Sequence, residues 1–269
     1  IGNWLTVNGV GMDRAVQKVK RNQRLRLRLV NVANSRILSM TFEGLSGWVV
    51  AIDGQPLETI EVLEEITLAP AQRIDVMVDV VRDSDAQLLL ATREGNTPLM
   101  RFEVEGVHRE VGLAPLQPLP ANPLAPIGSL ENVAVTELLM QGGAMGRMQS
   151  ATYEGTELGV RELVSKGMVW AFNGVVGMAE TPLLTAKRDS TIRIRLKNDT
   201  SFPHGMHLHG HHFRQILERS DSLSPRMGPW RDTLLVNRGE SAYFQGMIDN
   251  VMIWNTALQD DEITTLHRD

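Results

Sequence analysis

The sequence predicts an all-β protein in which one β-sandwich unit is used twice in tandem. Three observations predict it. Short stretches alternate apolar with other residues at a period of two, long helical periodicity is scarce, and a strand-turn-strand segment of the first half returns in the second. The alternating stretches are RLRLRLV at 24–30, IDVMVDVV at 74–81 and TIRIRL at 191–196, each bounded by Gly, Pro, Asn or Asp. One stretch, TELGVRELVS at 156–165, has enough helical spacing to predict a short helix in a connection.

The repeat sets the domain count. QRLRLRLVNVANSRILSMTFEG from Gln23 aligns with STIRIRLKNDTSFPHGMHLHGH from Ser190, which places Asn31 on Asn198. Further on, LAPAQRIDV from Leu68 aligns with VNRGESAYF from Val236, each a strand end, a turn and a new strand. Between the copies lies GLAPLQPLPANPLAPIG at 112–128, whose five prolines favour extended chain and resist sheet or helix. The expected organisation is therefore a domain over 1–112, a Pro-rich linker over 113–128 and a domain over 129–269. Its last stretch, from about 241, is atypical.

Composition narrows the function classes. With 42% hydrophobic and 22% charged residues, each half can bury a core. The balance of 27 basic against 32 acidic residues has no block of like charge suited to a nucleic-acid backbone or an anionic membrane, so neither partner is expected. No apolar run approaches the roughly 18 residues of a membrane span. The opening IGNWLTVNGVGMD lacks the basic and apolar regions of a signal peptide and starts at Ile1, as a fragment or a processed chain would. Cysteine is absent, which removes disulfides, thiolate ligands and thiol nucleophiles together.

The chemistry concentrates in FPHGMHLHGHHF at 202–213, which holds five of the seven histidines. Imidazole ligates copper, zinc, iron and nickel, with copper(II) the strongest binder among the common divalent ions. On a strand His207 and His209 share a face, with Cα atoms about 6.6–6.8 Å apart, so both can reach one metal or two adjacent ones. His204, three positions earlier, faces differently or lies beyond a bend and can serve another centre. A strand of solvated surface histidines is the alternative. Against it, the aligned positions of the first copy are Ile37, Met40 and Phe42, so only the second copy carries ligands.

FPHGMHLHGHHF resembles the copper-ligand strand of the last cupredoxin domain of multicopper oxidases, the laccase-like group. VWAFNGVVGM at 169–178, IRIRLKNDTSFPHGMHLHGHHFRQIL at 192–217 and GPWRDTLLVNRGE at 228–240 resemble the same domain. LTVNG at 5–9, LRLVNVANSRI at 27–37, AIDGQPL at 51–57 and LAPAQRIDVMVD at 68–79 resemble the middle domain. The resemblance covers roughly residues 1 to 240 and implies two cupredoxin-like Greek-key β-sandwiches with copper as cofactor. It implies His204 as a ligand of a mononuclear blue copper, His207 of type 2 copper and His209 of the type 3 pair. The implied activity is one-electron oxidation of phenols or metal ions coupled to reduction of dioxygen to water, in a periplasmic or secreted protein. The implied partners are a further cupredoxin domain or a second copy of the chain, with dioxygen and a small-molecule reductant.

The pattern breaks in two places. The family's amino-terminal domain, whose histidines complete the trinuclear cluster, has no counterpart here, and the usual His-Cys-His positions fall on Ala257, Leu258 and Gln259. A blue copper centre needs a thiolate. This chain is thus expected to be an incomplete oxidase with no catalytic residues of its own; a non-catalytic copper(II)- or zinc(II)-binding sandwich is the alternative. YFQGMIDNVMIWNTALQDDEITTL at 243–266 resembles the close of laminin-G or concanavalin-like domains, which points to a junction near residue 241 or to a degenerate oxidase ending. Ile248, Val251, Ile253 and Trp254 there are apolar enough to close the second sandwich.

Other features are weighed as structural. Met140, Met145, Met148 and Met168 offer soft cuprous ligands or, more simply, packing. Arg231 and Asp232 offer a catalytic acid and its partner or a structural pair at a strand start. His108 and His267 stand alone.

Overall fold

The computed structural model describes residues 5–110, 113–129, 133–179, 181–217, 226–248 and 252–253. The chain forms two compact units: Ile1–Pro123 with Pro229–Leu234, and Leu124–Gly228 with Leu235–Asp269. The proline-rich stretch carries neither strand nor helix over its described residues 113–128.

In the first unit a five-stranded and a four-stranded sheet share one core. The strand Arg73–Val80 shows how the sequence directs this, because its side chains alternate half-buried and buried along its length. Ile74, Val76, Val78 and Val80 face the core, while Asp75 and Asp79 face outward. Its neighbour Arg24–Val30 runs antiparallel and sets Arg24 opposite Asp79 and Arg28 opposite Asp75. The charges pair across the strands: Arg24 is bidentate to Asp79 at 2.6 and 2.8 Å, and Arg26 reaches Asp75 at 2.5 Å. From the other sheet, Met40, Leu88, Leu90 and Phe102 complete the core.

The second unit is organised on a six-stranded sheet. Its strand Ser190–Asn198 pairs in parallel with Val135–Gly142 and antiparallel with Ser241–Ile248. The alternation of TIRIRL puts Ile192, Ile194 and Leu196 inside. Ser241–Ile248, the start of the atypical tail, is an interior strand that also pairs with Phe213–Ile216; the Phe213 and Phe244 rings lie 4.3 Å apart. Met252–Ile253 pairs with Leu184–Thr185. Val251, Trp254, Ala257, Leu258, Gln259 and His267 lie outside the described residues.

The expected helix over 156–165 divides in two. Thr156–Gly159 is a strand paired with Ser150–Tyr153, and only Val160–Ser165 is helical. Gly159 is extended, at φ −70° and ψ 156°, and its N–H donates to the Glu162 carboxylate, which starts the helix there. Leu163 anchors that helix on a small core with Ala151, Ala171 and Val176.

Four two-residue turns share one chemistry. Asn8-Gly9, Asp53-Gly54, Glu154-Gly155 and Asn173-Gly174 all place both residues at positive φ, as the tight hairpin turn that matches strand twist requires.

Candidate metal centre

The histidine strand is held by a buried asparagine. Asn198 is 1% exposed, and its Nδ2 donates to Phe202 O at 2.7 Å and Val236 O at 3.0 Å. Its Oδ1 accepts from the Thr200 N–H at 3.0 Å. Its own backbone is fixed as well: Asn198 N–H donates to Glu240 O and Gly239 N–H donates to Asn198 O. The asparagine thus ties the chain that leads into the histidines to the turn at 237–240.

The first copy has the same clasp. Asn31, also 1% exposed, donates to Arg36 O and Leu68 O at 2.8 Å each, and accepts from Ala33 N–H at 3.0 Å. Asn31 N–H donates to Gln72 O, and Ala71 N–H donates to Asn31 O. Leu68, Ala71 and Gln72 are the residues aligned with Val236, Gly239 and Glu240, so the alignment holds at the level of individual hydrogen bonds.

Beyond the clasp, His204–His207 forms a short strand that pairs with Thr233–Val236. The strand ends at His207, and His209 lies in the turn that Gly210 makes at φ +76°. The regular strand expected through His209 is therefore shorter. The turn nevertheless brings the two imidazoles together: the His207 and His209 rings are 4.6 Å apart at 68° to one another, and both are exposed. Leu208 between them is half-buried. The His211 ring nitrogen Nδ1 lies 3.1 Å from His209 O.

His204 has a different setting. Its Nε2 is 2.8 Å from Thr200 Oγ1, and its ring meets Trp170 edge-on at 5.0 Å. Trp170 in turn meets Phe202 at 6.1 Å. Gly143 supports this arrangement at φ +77°, since a Cβ there would run into the Trp170 ring. Half-burial among these groups pushes the His204 imidazole below its ordinary pKa, because the charged form loses hydration.

The residues fit copper in part. Two adjacent exposed imidazoles, with rings this close, match the donor type and spacing of a shared metal or of two neighbouring ones. No set of three or more His, Cys, Asp or Glu side chains among the described residues stands together to hold a metal. A blue copper centre does not fit: the 269 residues contain no cysteine to supply its thiolate.

The remaining candidates are placed as follows. Met140 is 2% exposed in the core, Met148 and Met168 pack against the small core of Leu163, and Met145 is 80% exposed. They pack or face solvent rather than converge. Asp232 pairs with Arg73, not with Arg231, through two bonds of 2.6 and 2.7 Å. Asp53, whose side chain is fully buried, accepts from the backbone N–H groups of Arg73, Asp232 and Thr233. Sequence reasoning missed Asp53, Arg73 and Thr200. The first two sit within the quoted AIDGQPL and LAPAQRIDV motifs, which signalled family likeness but not pairing.

A cleft of about 220 Å³ lies beside the clasp in the second unit, bounded by Arg147, Asp199, Ser201 and Arg238 among others.

Comparison with known proteins agrees with this architecture. A family model described as multicopper oxidase matches residues 2–101, and a second of the same description matches residues 150–257. The multicopper oxidase MmcO of Mycobacterium tuberculosis is 26% identical over 249 residues, covering 88% of this chain and 44% of that protein. Lac15 from a marine microbial metagenome, known as a crystal structure, is 32% identical with a TM-score of 0.67, covering 93% of this chain and 58% of that one. A multi-copper oxidase from Pseudomonas thermotolerans, at 23% identity and a TM-score of 0.68, shares the fold over 93% of this chain and 54% of its own. The chain spans about half the length of these relatives.

Proposed function

Because this chain belongs to the multicopper oxidase family, whose cofactor is copper, we propose that it carries the copper-ligand strand of a larger copper-dependent oxidoreductase and binds copper(II) through His207 and His209. The observation that carries this reading is the convergence of those two rings at 4.6 Å, on a segment whose sister copy has Met40 and Phe42 instead. His204, in its separate setting against Thr200 and Trp170, is assigned to a second centre. Bound copper would supply one-electron redox chemistry. The chain's own residues position imidazoles: the Asn198 clasp fixes the strand's entry and the turn at Gly210 folds His209 back towards His207.

In the complete protein the reaction we assign is oxidation of a phenolic or metal-ion reductant coupled to dioxygen reduction. Its compartment is periplasmic or extracellular, in keeping with the family. A further cupredoxin domain or a second copy of the chain supplies the remaining ligands. No residue of this chain is assigned as catalytic.

Titration of the metal-free chain with copper(II) tests the reading. His207→Ala and His209→Ala are each expected to weaken binding by at least about tenfold, since each removes one of two nitrogen donors; an unchanged dissociation constant for either would remove that residue from the site. With copper and a phenolic reductant, the isolated chain is expected to show no intense blue thiolate-to-copper band and no oxygen consumption. A second reading, a non-catalytic copper(II) or zinc(II) module, is favoured by the missing thiolate. Oxygen uptake on reconstitution with a histidine-bearing cupredoxin domain would exclude it.

A further inference from the structure

The hydroxyl of Thr200 has one hydrogen and three claimants. Asn198 Oδ1 lies 2.7 Å away, Phe202 O 2.9 Å and His204 Nε2 2.8 Å. The two oxygens can only accept. The asparagine amide is oriented by its own contacts, with Nδ2 donating to Phe202 O and Val236 O and Oδ1 accepting the Thr200 N–H, so an oxygen faces the hydroxyl. Whichever oxygen takes the threonine proton, none remains for the imidazole. The 2.8 Å contact is then a hydrogen bond only when His204 Nε2 donates it.

We propose that Thr200 is a positioning residue for His204: it accepts the Nε2–H, locks the ring in that tautomer and leaves Nδ1 as the nitrogen with a free lone pair. Where this lone pair is directed at copper, the inference rests on the reading of His204 as a ligand given above; the tautomer itself does not. The edge-on contact with Trp170 at 5.0 Å opposes rotation of the ring out of this bond.

The sister copy is an internal control. It keeps the asparagine clasp, with the Nδ2 bond to the following loop made one residue later at Arg36 O, yet Ala33 stands where Thr200 would be and Ile37 where His204 would be. Hydroxyl and imidazole are absent together. A clasp therefore forms without the hydroxyl; at Thr200 the hydroxyl joins the turn, accepting from Phe202 N–H at 3.2 Å, to the histidine.

The experiment is a long-range proton–nitrogen correlation spectrum of the metal-free chain with nitrogen-15 histidine, recorded at about pH 8, where imidazoles are neutral. Wild type is expected to show His204 as a single Nε2–H tautomer with a resolved, exchange-protected Hε2 signal. Thr200→Ser retains that signal. Thr200→Ala, which adopts the residue of the sister clasp, is expected to lose it to solvent exchange and to return the ring to a tautomer mixture. A tautomer mixture or an Nδ1–H in wild type overturns the proposal, as does an unchanged Hε2 signal in Thr200→Ala. The wild-type spectrum decides the tautomer even if a variant fails to fold. Failure of copper binding at His207 and His209 would sink the functional reading and leave this spectrum unchanged.

Discussion

Asn31 and Asn198 clasp the same aligned turn 167 positions apart in sequence, and each is enclosed at 1% exposure. Asn198→Ala leaves Val236 O and the Thr200 N–H without their partner in a buried place and takes one of two donors from Phe202 O, so we expect a loss of about 3 kcal/mol in denaturant unfolding of the second unit. The turns that follow differ in one instructive way. Ala71 sits at φ 69° where Gly239 sits at φ +73°, and a Cβ on Gly239 would meet nothing. Gly239→Ala is therefore expected to destabilise by about 1 kcal/mol through backbone strain alone, while Ala71→Gly changes stability by less, because relief of strain is offset by a more flexible unfolded chain. Thermal melts of the pair check this.

His204 gives a pH prediction at the same scale. Burial depresses its folded-state pKa below the ordinary 6.5, so the unfolded chain takes up its proton first as pH falls. Stability from this group is present above about pH 6.5 and lost on descent through the folded value. In metal-free protein His204→Gln should flatten that part of the stability–pH curve, read by urea midpoints across the window. The asparagines were legible in sequence because the repeat aligns them. The threonine was not, since its role depends on which of three neighbours takes one proton.

At the scale of elements, alternation was a sufficient signal wherever a strand has one wet face. RLRLRLV and IDVMVDVV became paired strands, with their charges matched across the ladder. The stretch at 156–165 was misread because helical spacing persists through Thr156–Gly159, where pairing with Ser150–Tyr153 prevails. The two strands are joined by the tight Glu154-Gly155 turn, a hairpin signal that outweighs helical spacing. The histidine strand was shortened at Gly210 for a comparable reason: a turn residue, not the period, ends it. The segment Pro229–Leu234, counted within the first unit, is fixed there by Arg73 with Asp232 and by Asp53. Asp232→Ala removes the two-point partner of the Arg73 guanidinium, 30% exposed, leaving it only the more distant Asp53 carboxylate at 3.8 Å, and is expected to reduce first-unit stability by about 2 kcal/mol in urea titration. Arg73→Lys should recover little, because one ammonium does not reproduce the two-point contact.

At the scale of the molecule, one sandwich plan appears twice and only one copy carries imidazoles on the aligned strand. The shared plan was legible because clasp, turn and strand recur in order. The unequal chemistry was legible because the aligned positions exchange Ile37, Met40 and Phe42 for His204, His207 and His209. Sequence spacing already set His204 apart from the pair His207 and His209; what it did not reveal is that the pair meets across the turn after His207 rather than along one strand face, and that Trp170 walls the single ring. The chain thus presents imidazole donors without a thiolate, and on the proposed reading the remaining copper ligands come from elsewhere. The most direct measurement is pulsed electron paramagnetic resonance of one equivalent of copper(II) bound to the chain, which counts coordinated imidazoles through their remote nitrogens. Two imidazoles, falling to one in His207→Ala and in His209→Ala, are predicted; a single imidazole in wild type, or a count of two that survives both substitutions, would contradict the account.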